Sequence, residues 1–304
     1  MTPSRPWYGF ALAAAVALSF AANTAAARIA FDGGATPLTM NASRLAVAGV
    51  LLFIVLRLLG VPAWLPRRTR LIAWALGPLM FFYQFALLSA LEMIPLALAI
   101  LIFYTFPIMT SIVSWSTGRE PVTARGVVAV LVAFAGLALA LDITGDRLDP
   151  TGVLLAALSA MGLTAMLQFN HRLVGGGDSR PVTLNMIASA TVTGAVVVAL
   201  DGGLSLPVAT TGWTAFTVSA LLFSFAVINM FVAMGLVGPV RMALTMNLEP
   251  VASMLLGVFL LGQPLTLLQV AGGALVIVAV LMVRLAPASR HQPTPRNQGA
   301  KLHG

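Results

Sequence analysis

Inside the apolar stretches of this 304-residue chain only a handful of side chains could do chemistry. Catalysis by a nucleophile, a metal or a carboxylate pair needs clustered groups. No apolar stretch holds two acids, none contains a histidine, and the serines stand apart. His171, His291 and His303 fall in a link or near the end of the chain, too far apart for a metal-ligand pattern. Cysteine is absent, which excludes disulfides and thiolate metal sites. The sequence therefore reads as a non-enzyme without cofactor or metal. What is left is a binding surface in which each buried polar group needs a reason.

Two charged residues stand out. Glu249 is the acid near the middle of its apolar stretch, with Thr245 four residues before and Ser253 four after, so the three form one stripe on a helix. Pro250 lacks a backbone donor, which predicts that the carbonyl of Met246 loses its helical partner and that the helix kinks there, making Pro250 a hinge. A binding-site acid and a structural hydrogen bond to a neighbouring helix are both open for Glu249. Arg44 lies about two turns into its stretch and shares a face with Asn41. It either bonds carbonyls between helices, snorkels outward, or meets a substrate carboxylate.

Pro107 is the hinge expected in another apolar stretch, among Phe103, Tyr104 and Phe106, while Phe81, Phe82, Tyr83, Gln84 and Phe85 cluster in the one before it. Aromatic rings commonly pack or face lipid, but the hydroxyls of Tyr83 and Tyr104 need polar partners at depth. Both are placed at the site, where they suit an apolar or aromatic ligand. Ser19 with Asn23 and Thr164 with Gln168, each pair four apart, are expected to line the opposite wall, with Asn229 beside them.

The elements that must position these residues follow from composition. Hydrophobic residues make up 59% of the chain and charged ones 9%, and mean hydropathy is +0.97. Apolar runs of about 20 residues, the length that crosses a bilayer, follow one another, which rules out a water-soluble domain. They predict an all-α membrane protein with ten transmembrane helices, at 7–27, 37–57, 71–91, 95–117, 124–142, 150–170, 181–200, 212–236, 239–261 and 264–284. The net charge of +8 comes from isolated arginines at the ends of these runs rather than from a basic face, so nucleic acid is not a partner and the bilayer is. Fourteen of the 17 bases fall on one side of such a topology and two on the other, which puts both termini in the cytoplasm and Arg28 and Arg147 outside. Residues 1–6 read as a cytoplasmic N-terminus rather than a signal peptide, and 286–304 as a disordered basic tail. Ala129, Ala133, Gly136 and Ala140, and likewise Gly272 with Gly273, form small-residue ridges suited to helix packing; a homodimer contact is their alternative use.

The chain also repeats itself. Gly9-Phe10-Ala11-Leu12-Ala13-Ala14 recurs as Gly152-Val153-Leu154-Leu155-Ala156-Ala157, and Pro37-x-Thr39-x-Asn41 as Pro181-x-Thr183-x-Asn185. Pro95 matches Pro239, Pro107 matches Pro250, and Glu120-Pro121 matches Gln263-Pro264, all at offsets of 143 or 144 residues. Two repeats follow, 7–142 and 150–285. Each holds five spans, an odd number, so the second enters the membrane from the opposite face: the repeats are inverted around a central cavity, the arrangement that permits alternating access. The link from Gly118 to Arg125 is basic and its counterpart, Gly262 to Thr266, is uncharged, in keeping with opposite faces.

These landmarks resemble the drug/metabolite transporter superfamily, in particular its ten-helix EamA-type exporters. The resemblance spans residues 7–285. Its most specific piece is Asn247-Leu248-Glu249-Pro250-Val251 followed by Leu261-Gly262-Gln263, where that family commonly has an acid at the position of Gln263. It implies two five-helix bundles and a small metabolite leaving the cell across the inner membrane. Amino acids, aromatic or large apolar ones included, are the expected cargo, with Asn247 beside Glu249 at the site. Sugar-phosphate or lipid-linked glycosyl cargo is the alternative, and a non-transporting structural membrane protein the alternative of another class. Small multidrug exporters of the same superfamily use an acid in the first helix as proton carrier. The first span here has none, which favours downhill export.

Overall fold

The structure is a computed structural model that describes residues 6–116, 149–174, 180–237, 245–246, 248–263 and 265–284, with short helical pieces between 124 and 139. Regular structure among the described residues is helical: α1 (Pro6–Asp32), α2 (Pro37–Leu58), α3 (Arg67–Met93), α4 (Leu96–Phe103), α5 (Phe106–Ser116), α6 (Pro150–Val174), α7 (Arg180–Leu200), α8 (Thr210–Val237), α9 (Leu248–Phe259) and α10 (Leu267–Arg284). The fourth expected span is two helices, α4 and α5, separated at Tyr104 and Thr105. The ninth is described from Thr245, turns at Met246, and is helical again from Leu248. For the fifth span only the short pieces are described. Of its small-residue ridge, Gly136 is among them, and Ala129, Ala133 and Ala140 lie outside the described residues.

α1, α2, α3, α7 and α8 each contain a window long and apolar enough to cross a membrane. The 27 residues of α3 reach about 40 Å at 1.5 Å per residue, beyond the roughly 30 Å hydrocarbon core. Large apolar side chains such as Phe53, Leu154, Val196 and Leu255 are exposed along the helices, as lipid contact requires.

Helix ends are set locally. Thr36 caps α2 by accepting the Thr39 N–H at 3.3 Å, and Pro37 takes the first turn, where its missing donor costs nothing. The helix stops at Gly60 (φ +66°), with the Val61 N–H bonded to the Leu56 carbonyl at 2.9 Å. α7 stops in the same way at Gly202 (φ +94°), with the Gly203 N–H on the Val198 carbonyl at 2.9 Å. The repeat thus extends to helix ends that share no proline landmark. Asp149 caps α6, accepting from the Thr151 N–H at 2.7 Å and the Gly152 N–H at 3.4 Å. Those bonds, Thr151 first, hold its carboxyl below the usual range.

The helices pack as a twofold requires. α1 lies along α8, and α6, the repeat equivalent of α1, lies along α3, the equivalent of α8. The contacts of α2 with α8 and of α7 with α3 form a second such pair, while α2 with α7 maps onto itself. With five spans per repeat, the two repeats sit in the bilayer with opposite orientation. Close approach is made possible by glycine. A Cβ at Gly77 on α3 would fall inside the Ser189 side chain of α7, and one at Gly162 on α6 inside that of Tyr83 on α3. Ser189 Oγ also donates to the Trp74 carbonyl at 2.6 Å, and Trp74 Nε1 to Asn185 Oδ1 at 3.3 Å, fastening α7 to α3.

Candidate functional site

Two polar clusters are built from the residues singled out above. The first joins the breaks of the two repeats. After α4 the chain turns at Tyr104 and Thr105, and Thr105 Oγ1 donates back to the Ile102 carbonyl at 2.7 Å. Pro107 stands in the first turn of α5, so the break lies just ahead of the residue that cannot donate to the carbonyl four before it. Pro250 occupies the same place in α9. The Met246 carbonyl, which Pro250 leaves without its helical donor, accepts instead from the Tyr104 hydroxyl at 3.0 Å and from the Glu249 N–H at 3.1 Å. Tyr104 Oη also lies 2.7 Å from Glu249 Oε2. A side chain from the break in the first repeat therefore closes the break in the second, and buried Glu249 completes the contact. The Phe103, Tyr104 and Phe106 rings pack around it with centroids 5.7 to 6.0 Å apart.

A hydroxyl has one proton, and both the Met246 carbonyl and a carboxylate only accept. Both contacts of Tyr104 are full hydrogen bonds when the carboxyl of Glu249 carries a proton and donates to Tyr104, which then donates to Met246. Ser253 Oγ, one turn beyond Glu249, is buried without a hydrogen-bond partner.

The second cluster centres on Arg44. Its Nη2 donates to Asn41 Oδ1 at 3.2 Å and to Gln84 Oε1 at 3.0 Å, and its guanidinium carbon stands 4.5 Å from the centre of the Phe223 ring. Asn41 Nδ2 in turn donates to the Phe81 carbonyl at 3.0 Å. Gln84 Nε2 reaches the Tyr83 hydroxyl at 3.4 Å, so the chain of contacts runs from α2 to the tyrosine that seats against Gly162 of α6.

The remaining expected site residues make contacts across the repeats or within a helix. Asn23 Oδ1 on α1 accepts from Ser219 Oγ of α8 at 2.8 Å, with Ser19 buried one turn before. Thr164 Oγ1 on α6 lies 3.2 Å from the Phe106 carbonyl, and Gln168 Nε2 donates to the Thr110 carbonyl at 3.4 Å, tying α6 to α5. Asn229 turns back onto its own helix, donating to the Phe225 carbonyl at 2.8 Å. Asn247 lies outside the described residues. A pocket of about 460 Å³ lies elsewhere, lined by apolar side chains of α1, α8 and α9 such as Ala22, Val218, Leu222 and Leu256.

In the sequence Gln263 stands as a repeat landmark and a departure from a motif, with no contact assigned to it. Its Oε1 accepts the Leu96 N–H, the first orphan donor of α4, at 3.1 Å. α4 is thus held by the second repeat at its start through Gln263 and just past its end through Met246 and Glu249. An acid suits this place because a helix N-terminus favours negative charge. Gln263→Glu is expected to retain the thermal unfolding midpoint of the purified protein. Gln263→Leu is expected to lower it, since removing the acceptor costs about 1 kcal/mol.

Comparison with known proteins adds the following. The profile of the EamA-like transporter family matches residues 7–141 and again 150–285. No curated protein matches the sequence. A solved structure described as "Crystal structure of protein" shares the fold, with a TM-score of 0.63 at 20% identity, over 92% of this chain and 96% of that one. With both repeats matched in full, the chain belongs to the EamA-like transporter family and is a multi-pass membrane transporter of small solutes.

Proposed function

We propose that this transporter is an exporter of the cell inner membrane, works by alternating access with both termini cytoplasmic, and carries small amphipathic metabolites, above all amino acids with aromatic or large apolar side chains. The observation that supports alternating access best is the tie between the two helix breaks: Tyr104 of one repeat against Met246 and Glu249 of the other. Breaks near the middle of paired spans are places where backbone can rearrange, and a tie between them is a contact that moving repeats must remake. The aromatic preference draws on Tyr83, Tyr104, Phe103 and Phe106 around the two clusters. Arg44 is the one buried guanidinium among the described residues, which speaks against multiply charged sugar phosphates.

The deciding experiment is flux of labelled phenylalanine, leucine and alanine in proteoliposomes, with and without an imposed proton gradient. Saturable counterflow is expected, and its absence for every cargo would sink the proposal. Tyr83→Ala is expected to narrow the ratio of phenylalanine to alanine flux several-fold at unchanged protein yield, whereas a packing role would reduce yield and leave the ratio alone. A soluble reporter fused at either terminus is expected to stay on the cytoplasmic side in a protease-protection assay; a protected terminus would reverse the orientation.

A further inference from the structure

We infer that Arg44 is the seat for a carboxylate on the cargo, so that the transporter selects solutes bearing a single negative group. The inference rests on the exporter reading above and names its substrate class.

Arg44 is 3% exposed, within α2, among helices whose outer faces meet lipid. A buried guanidinium is retained where an anion or a full set of acceptors meets it. Here the acceptors are two neutral amide oxygens, Asn41 Oδ1 and Gln84 Oε1, and both are taken by the same nitrogen, Nη2. Nε is buried with no partner, and the Phe223 ring supplies one face of the group rather than a counter-charge. The ion pair found among the described residues joins Arg28 to Asp32, and Glu249 is engaged with Tyr104. Among the described residues the guanidinium is thus oriented by neutral groups, with no acid paired to its charge. A carboxylate is the partner whose shape and charge fit the donors that remain.

The fold itself does not demand this arginine. Asn41 has its repeat equivalent in Asn185, but Arg44 corresponds to Ala188, and α7 still packs on α2, α3 and the residues beside it. The charge is thus confined to one half, whereas the asparagine beside it is shared by both. The cluster also leads toward the expected site, since Gln84 links Arg44 to Tyr83.

The test uses the wild-type protein in proteoliposomes with three labelled solutes of one shape: phenylalanine, 3-phenylpropanoate, which keeps only the carboxylate, and phenethylamine, which keeps only the amine. Saturable flux of the two carboxylates at ten times that of phenethylamine or more is expected. Arg44→Gln, checked for a single symmetric peak on gel filtration, should abolish this preference by lowering carboxylate flux about tenfold more than phenethylamine flux. A structural role lowers all three together, and that result overturns the inference. So does wild-type flux of phenethylamine equal to that of phenylalanine. If that flux also falls when chloride is replaced by methanesulfonate, chloride rather than the cargo occupies Arg44. No saturable flux for any of the three removes the exporter reading itself, a failure distinct from flux that ignores the carboxylate.

Discussion

Glu249→Gln is expected to keep counterflow of labelled cargo within about twofold of wild type, and Glu249→Ala to lower it about tenfold or more. The glutamine amide can donate to the Tyr104 hydroxyl, so Tyr104 is free to donate to the Met246 carbonyl, and all three members of the tie stay bonded. Alanine removes one member and opens space beside a carbonyl already deprived of its helical donor by Pro250. Leaving buried polar groups short of partners costs about 1–3 kcal/mol, and about 1.4 kcal/mol is a factor of ten. The same variant addresses energy coupling. With no acid in the first span, downhill export is expected: wild-type flux should follow the cargo gradient, and a proton gradient should produce no accumulation. If a proton gradient does drive accumulation and the glutamine variant loses that component alone, Glu249 carries the coupled proton and downhill export is refuted.

The second large effect concerns assembly. Gly77→Val should leave little folded protein, read as the yield of monodisperse material after extraction in mild detergent. The added Cβ would meet Ser189 and the backbone nitrogen of Ala190, so α3 and α7 would have to separate. Overpacking typically costs about 1–3 kcal/mol, and here the Ser189 to Trp74 bond is lost as well. Gly60→Asn is the control. It has a left-handed conformation that asparagine tolerates and nothing within 4 Å of a Cβ, so its yield should match wild type. Normal yield of Gly77→Val would mean that the α3–α7 contact is looser than described.

Spans and repeat were legible in the sequence because both rest on long-range regularities, apolar length and recurring prolines. The two helix breaks were legible for a local reason, since a proline removes a donor from a carbonyl at a fixed distance along its own chain. What replaced that donor was not. Tyr104 and Met246 are 142 residues apart, and only the packing of α4 on α9 sets one against the other. The bond of Arg44 to Gln84 depended in the same way on the register of α2 against α3, and that of Asn23 to Ser219 on α1 against α8. The turn of Asn229 onto its own helix is a rotamer choice that helical spacing does not reveal. Glycine punctuation ended the second and seventh spans, but the left-handed conformation of Gly60 and Gly202 leaves no trace in sequence periodicity.

The tie at the breaks has no counterpart under exchange of the repeats. At an offset of 143 residues Tyr104 corresponds to Asn247, Glu249 to Phe106 and Met246 to Phe103. A state in which the two halves traded conformations would set a short amide against a phenyl ring where a phenol now meets a carboxyl. A carrier with identical halves would divide its time evenly between its two end states; the unequal tie removes that symmetry. Under alternating access the bonds of Tyr104 weight one end state by about 1–3 kcal/mol, so the unloaded transporter idles there. In that mechanism cargo would spend part of its binding energy on leaving that state, and the empty protein would cycle slowly.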